Sequence, residues 1–139
     1  MLIRKFKKTA KKNFGFLLEY GFKERQVGYG ALEQNLIFEK ERWTISICYY
    51  ECLDQNFKKG EAVDIVLEYK LNNEMSTIPM FGIVEFGKIG ANLRACEKLF
   101  GREKINQLNS SLVNLDLEEQ MSIQANFLKK NLIDLGLHV

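Results

Sequence analysis

Apolar residues Ile3, Phe6, Ala10, Phe14, Leu17 and Leu18 recur at steps of three and four along the first part of the chain. That spacing predicts one buried face of a helix. Arg4, Lys5, Lys8, Lys11 and Lys12 fall on its other side. Gly21 stands where a helix can end in a left-handed residue. Gly15 costs about 1 kcal/mol relative to alanine inside a helix, so the pattern predicts a weak point there.

Alternation with a period of two follows. Arg25, Val27 and Tyr29 alternate with more polar neighbours, and Leu32, Leu36 and Phe38 define a second segment. The clearest strands set Trp43, Ile45, Ile47 and Tyr49 against Thr44, Ser46, Cys48 and Tyr50, and Val63, Ile65, Leu67 and Tyr69 against Asp64, Val66, Glu68 and Lys70. Such alternation predicts an antiparallel sheet with one covered face and one solvated face. Turn chemistry separates the segments at Gly28 to Gly30, Lys40-Glu41, Asp54 to Gly60 and Asn72-Asn73. Met75 to Phe81 offers a short edge strand that Pro79 limits.

Helical spacing returns at Ile89, Leu93, Cys96 and Phe100, with Gly101 as a stop, and again at Ile105, Leu108 and Leu112. Leu117, Met121, Ala125, Leu128, Leu132 and Leu135 form the last stripe. Asp116 followed three residues later by Glu119 predicts an N-terminal capping box, and Gly136 a stop. Strand and helix blocks are segregated, which predicts an α+β class and not a parallel βαβ fold. The expected architecture has an N-terminal helix, a four- to five-stranded mainly antiparallel sheet, and C-terminal helices packed with it on one sheet face. Residues 1–139 read as a single domain, without repeats or a linker.

Composition adds a globular character: 46% of residues are hydrophobic and 27% charged. The net charge of +2 conceals an uneven distribution. Residues 1–12 hold six of the 20 basic groups and no acid, so all 18 acids lie in the rest of the chain. A basic head precedes a mildly acidic body. Three cysteines, Cys48, Cys52 and Cys96, with no apolar leader segment, predict reduced thiols and a cytoplasmic location. No stretch approaches the roughly 20 apolar residues of a membrane span.

Chemistry is sparse. The only histidine, His138, stands next to the C-terminal residue, which excludes most histidine-based acid–base and metal chemistry. Cys48 and Cys52 would lie about 13 Å apart on one strand, too far to share a disulfide or zinc unless the strand ends between them. Gly82, Gly87 and Gly90 fit neither a dinucleotide fingerprint nor a P-loop. The pattern therefore predicts no enzyme activity, no cofactor and no metal site.

Two binding surfaces emerge instead. Tyr50, Glu51, Asp54, Asp64 and Glu68 are expected on or beside the open sheet face, as an acidic patch with a tyrosine anchor for a basic protein partner. The alternative is anion binding by Arg4, Lys5, Lys8, Lys11 and Lys12, either to nucleic acid or to an anionic surface. That cationic face carries no aromatic residue for base stacking.

The helix ending in Leu17-Leu18-Glu19-Tyr20-Gly21-Phe22, the sheet centred on Trp43-Thr44-Ile45-Ser46-Ile47 and the C-terminal helices together resemble small bacterial immunity proteins of polymorphic or contact-dependent toxin systems. The resemblance covers most of the chain in style and rests on no signature motif. It implies a cytoplasmic, stoichiometric inhibitor that binds a toxin domain tightly, and it assigns no role to any numbered residue.

Overall fold

The computed structural model describes residues 3–25, 35–51, 61–71, 74–79, 99–112 and 114–132. The N-terminal stripe forms α1 (Ile3–Phe14) and a short α2 (Phe16–Glu19). They part at Gly15, where a Cβ would stand 2.8 Å from the Lys11 carbonyl oxygen. The expected stop at Gly21 is a Schellman cap. Phe22 N–H donates to Leu17 O at 3.0 Å, Gly21 N–H donates to Leu18 O at 3.1 Å, and Gly21 has φ 92°. Leu17 and Phe22, which flank the cap, are both buried. The Lys40 ammonium donates to the Tyr20 carbonyl and lies 5.9 Å from the centre of the Phe22 ring, tying the helix end to the sheet.

Five strands follow: β1 (Lys23–Arg25), β2 (Asn35–Lys40), β3 (Trp43–Glu51), β4 (Glu61–Leu71) and β5 (Glu74–Pro79). They form one sheet in the order β1-β2-β3-β4-β5, and every neighbouring pair is antiparallel. Each strand pairs with its neighbour in sequence, so the sheet is a meander without crossovers. The turn between β2 and β3 is two residues long, with Lys40 paired to Trp43 across it. Glu41 takes φ 54° in that turn, a conformation that favours glycine or asparagine.

Two further helices complete the described fold. Leu99 and Phe100 are helical and stop at Gly101, whose φ is 96°. Then come α3 (Arg102–Ser111) and α4 (Leu117–Asn131). Asp116 caps α4 as its spacing predicts: its Oδ1 accepts from the Glu119 N–H at 2.8 Å. The expected helix from Ile89 to Cys96, the strand positions Val27, Tyr29 and Leu32, and the stop at Gly136 lie outside the described residues.

The core lies between one sheet face and the helices. Leu36, Phe38, Ile45, Ile47, Val63, Ile65 and Leu67 meet Phe6, Phe14, Leu17, Ile105, Leu112, Met121 and Leu128. Contacts at both ends show that α1 and α4 run in the same direction. At one end the Phe6 ring lies 5.7 Å from that of Tyr49, and the Tyr49 hydroxyl is 3.0 Å from a Glu61 carboxylate oxygen. Gln120, near the start of α4, bonds the backbone of Glu61 and Val63. At the other end the Lys129 ammonium lies 5.8 Å from the centre of the Phe16 ring.

Two expectations about the sheet need correction. Its second face is not open at the centre: Ile37, Ser46, Cys48, Ala62 and Asp64 are buried there. Pairing explains why these positions behave alike. Ile37 stands beside Ser46, and Cys48 beside Asp64, so apolar and small groups dominate this part of the face. Trp43 is also less central than its strand pattern implies. It is partly buried at the margin of the core, with its ring 4.8 Å from that of Tyr69.

Candidate functional site

Residues paired across antiparallel strands project to the same side of the sheet. On the side away from the helices, Glu39, Thr44 and Glu68 therefore form one row, paired in register across β2, β3 and β4. All three are half-exposed. Arg25 adds a cation to this row, its Nη1 2.8 Å from Glu39 Oε1. Both partners are substantially exposed, so the pair orients side chains more than it stabilises the fold. Glu68 is thus an acidic group held in fixed register on the central strand pair.

Asp64, a member of the expected acidic patch, does not join it. Asp64 is 4% exposed and offers no charge to a partner from that position, which corrects its reading as a surface carboxylate. Tyr50 pairs with Ala62 and Glu51 with Glu61. Tyr50 therefore stands six positions along the β3–β4 ladder from the Glu68 row, roughly 20 Å away. The side chains of Tyr50 and Glu51, and all of Asp54, lie outside the described residues. Between Glu68 and the Tyr50 position of β3, the ladder carries buried Asp64.

Burial pushes the Asp64 carboxyl up to about 8, opposed in part by a hydrogen bond from the Ile65 N–H. Among the described residues its Oδ1 has no hydrogen-bond partner. Across the ladder stands the buried thiol of Cys48. Among the described residues no three His, Cys, Asp or Glu side chains come together to hold a metal ion. Cys52, Cys96, His138 and the Gly82, Gly87 and Gly90 loop lie outside them.

The cationic face of α1 is better defined. Lys5, Lys8, Lys11 and Lys12 are exposed, while Phe6, Ala10 and Phe14 are at most 1% exposed and belong to the core. The Arg4 side chain lies outside the described residues. Lys11 turns toward the sheet, its Nζ 3.3 Å from Glu24 Oε1. The sequence pattern missed Lys129 on α4, which meets this layer at Phe16. No local signal could have placed it there, because the contact depends on how two distant helices pack.

A groove of about 510 Å³ lies between α3 and α4. Leu108, Ile123 and Phe127 contribute apolar surface, and Lys104, Asn126 and Lys130 polar surface. The Lys104 ammonium donates to Asn131 Oδ1 at 3.0 Å. Among the described residues, no helix is long and apolar enough to cross a membrane. The chain matches no protein-family model, no curated protein and no solved structure.

Proposed function

We propose that the chain is a protein-binding inhibitor of the immunity type, which neutralises a cognate bacterial toxin domain by tight stoichiometric binding in the cytoplasm. The observation that carries this reading is the Glu39–Thr44–Glu68 row, which is half-exposed and set in register on strands whose other side is core. A rigid sheet face holds charges in place before the partner arrives, so little ordering entropy is lost on binding. Glu68 on that platform favours a cationic group on the partner and speeds its encounter. Glu68 is the central contact in this reading, with Tyr50, Glu51 and Asp54 as contacts toward the other end of β3. Asp64 is buried in the sheet and does not touch the partner. The reading is non-catalytic and uses no cofactor.

The test begins with capture of the tagged full chain from its native cells at low and high salt, followed by mass spectrometry. The expected result is one protein partner, retained at high salt at equal stoichiometry, whose toxic activity is titrated away by the purified chain. Glu68→Lys should slow association with that partner at low salt. A captured protein whose activity is unaffected by the chain, or an association rate indifferent to Glu68→Lys, would overturn the reading or its surface respectively.

A further inference from the structure

The cations of α1 do not all point the same way, and the difference defines a surface. Successive residues turn by about 100° around a helix. Lys11 lies on the flank that meets β1, where Glu24 engages it. The continuation of the opposite flank reaches Phe16, where Lys129 of α4 lies over the ring. Lys8 faces away from the core, and Lys5 and Lys12 lie between that direction and α4. All three are exposed, as is Lys129. Since α1 and α4 pack together and run the same way, Lys129 extends the α1 row near its C-terminal end.

We infer that Lys5, Lys8 and Lys12 of α1 and Lys129 of α4 form one cationic surface that binds the phosphate backbone of a nucleic acid without reading its sequence. The α1 row spans about 10 Å from Lys5 to Lys12 at 1.5 Å per residue. Packed helix axes are about 8–10 Å apart, so Lys129 adds width to that row. Four ammonium groups over such an area can neutralise phosphates along a backbone segment. The acids on the same elements are Glu19 on α2 and Glu118 and Glu119 in the first turn of α4. The α4 pair lies at the opposite end of that helix from Lys129, and Glu19, three residues after Phe16, borders the surface at its Lys129 end, so the anion is placed along α1.

Two features favour nucleic acid over an anionic membrane. An interfacial helix inserts an apolar face among the headgroups. Here Phe6, Ala10, Phe14 and Leu17 are at most 1% exposed and committed to the core. Among the described residues Leu18, at 54% exposure, is a single protruding apolar side chain and not a face. Lysines presented without an insertable face suit contacts that position a phosphate backbone. This surface is on the helical layer, so it is independent of the Glu39–Thr44–Glu68 row on the far side of the sheet.

The test measures fluorescence anisotropy of labelled DNA, duplex and single-stranded, with the full chain at low salt. Labelled phosphatidylglycerol vesicles provide the membrane arm. Binding of DNA is expected, with log K falling against log salt at a slope of about −3 to −4. K8Q/K12Q/K129Q should reduce that slope by about 3 units and weaken binding at least about tenfold, while Lys130→Gln changes little. The double variant K8Q/K12Q gives the same reading, with a slope change of about 2, should loss of Lys129 disturb the Phe16 contact. No DNA binding at low salt would overturn the proposal. So would a slope unchanged in folded variants, or binding to vesicles alone.

Discussion

The side-chain amide of Gln120 bonds the edge of β4 as a neighbouring strand would, with its Oε1 accepting from the Val63 N–H at 3.1 Å. Its Nε2 donates to the Glu61 carbonyl at 3.0 Å, so one amide spans the two backbone groups flanking Ala62. One turn later, Gln124 Nε2 donates to the Val63 carbonyl at 2.8 Å. These bonds lie beyond the end of β5, whose last paired residue is Pro79 opposite Val66. The helix thus satisfies backbone groups that a longer β5 would have paired. Gln120→Met keeps the volume but leaves the Val63 N–H and Glu61 C=O without these partners. It should destabilise the protein by about 1–3 kcal/mol, read as a lower midpoint of urea unfolding at constant slope.

The core has a centre and a margin, and aromatic truncation should tell them apart. Phe14 is fully buried between α1 and the sheet, so Phe14→Ala should cost about 3–5 kcal/mol. Trp43 is larger but half-buried, and its main aromatic partner is Tyr69. Trp43→Ala should therefore cost only about 1–3 kcal/mol, from partial burial and one ring pair. Denaturant melts of the two variants check the order. A larger loss at Trp43 would show that it anchors more of the core than its exposure indicates.

The tight turn at Glu41 stores strain. A side chain at φ 54° costs about 1–2 kcal/mol relative to the right-handed regions, and glycine does not bear that cost. Glycine's greater freedom in the unfolded chain offsets part of the gain. Glu41→Gly should raise stability by up to about 1 kcal/mol, read as a higher melting temperature. A lower melting temperature would mean that the Glu41 side chain makes a compensating contact.

The features legible in the sequence are those that local chemistry determines. Gly21 and Asp116 announced their caps because each supplies a backbone conformation or an acceptor that a helix end lacks. Strands β3 and β4 were legible because Ile45, Ile47, Val63, Ile65 and Leu67 alternate without interruption. Asp64 was misread because alternation says which face a residue shares, not whether that face is covered. Its burial depends on register with Cys48 and on packing over the sheet, neither of which one strand encodes. Gln120 and Gln124 left a faint signal, as polar residues four apart beside the apolar stripe of α4. Nothing local distinguished them from solvated glutamines. The placement of Lys129 beside Phe16 was beyond any local pattern, because it follows from the packing of α1 on α4.

Asp64 should make stability fall as pH rises. Its carboxyl is pushed from 3.8 up to about 8 in the folded chain, chiefly by burial. The folded state thus holds the proton more tightly than the unfolded state. For a group shifted in this direction, the stabilising contribution is complete below the unfolded value. It is lost progressively as pH climbs from there to the folded value, and stays lost above it. Stability attributable to this group should therefore decline between about pH 4 and pH 8. Asp64→Asn is nearly isosteric, keeps an oxygen to accept from the Ile65 N–H, and cannot ionise. Above pH 8 the variant should be more stable than the native chain by on the order of a few kcal/mol, with the difference shrinking toward acid. Urea unfolding of both proteins at a series of pH values measures it. Parallel curves would show that Asp64 titrates alike in both states, and hence that the carboxylate reaches water or a cation in the folded protein.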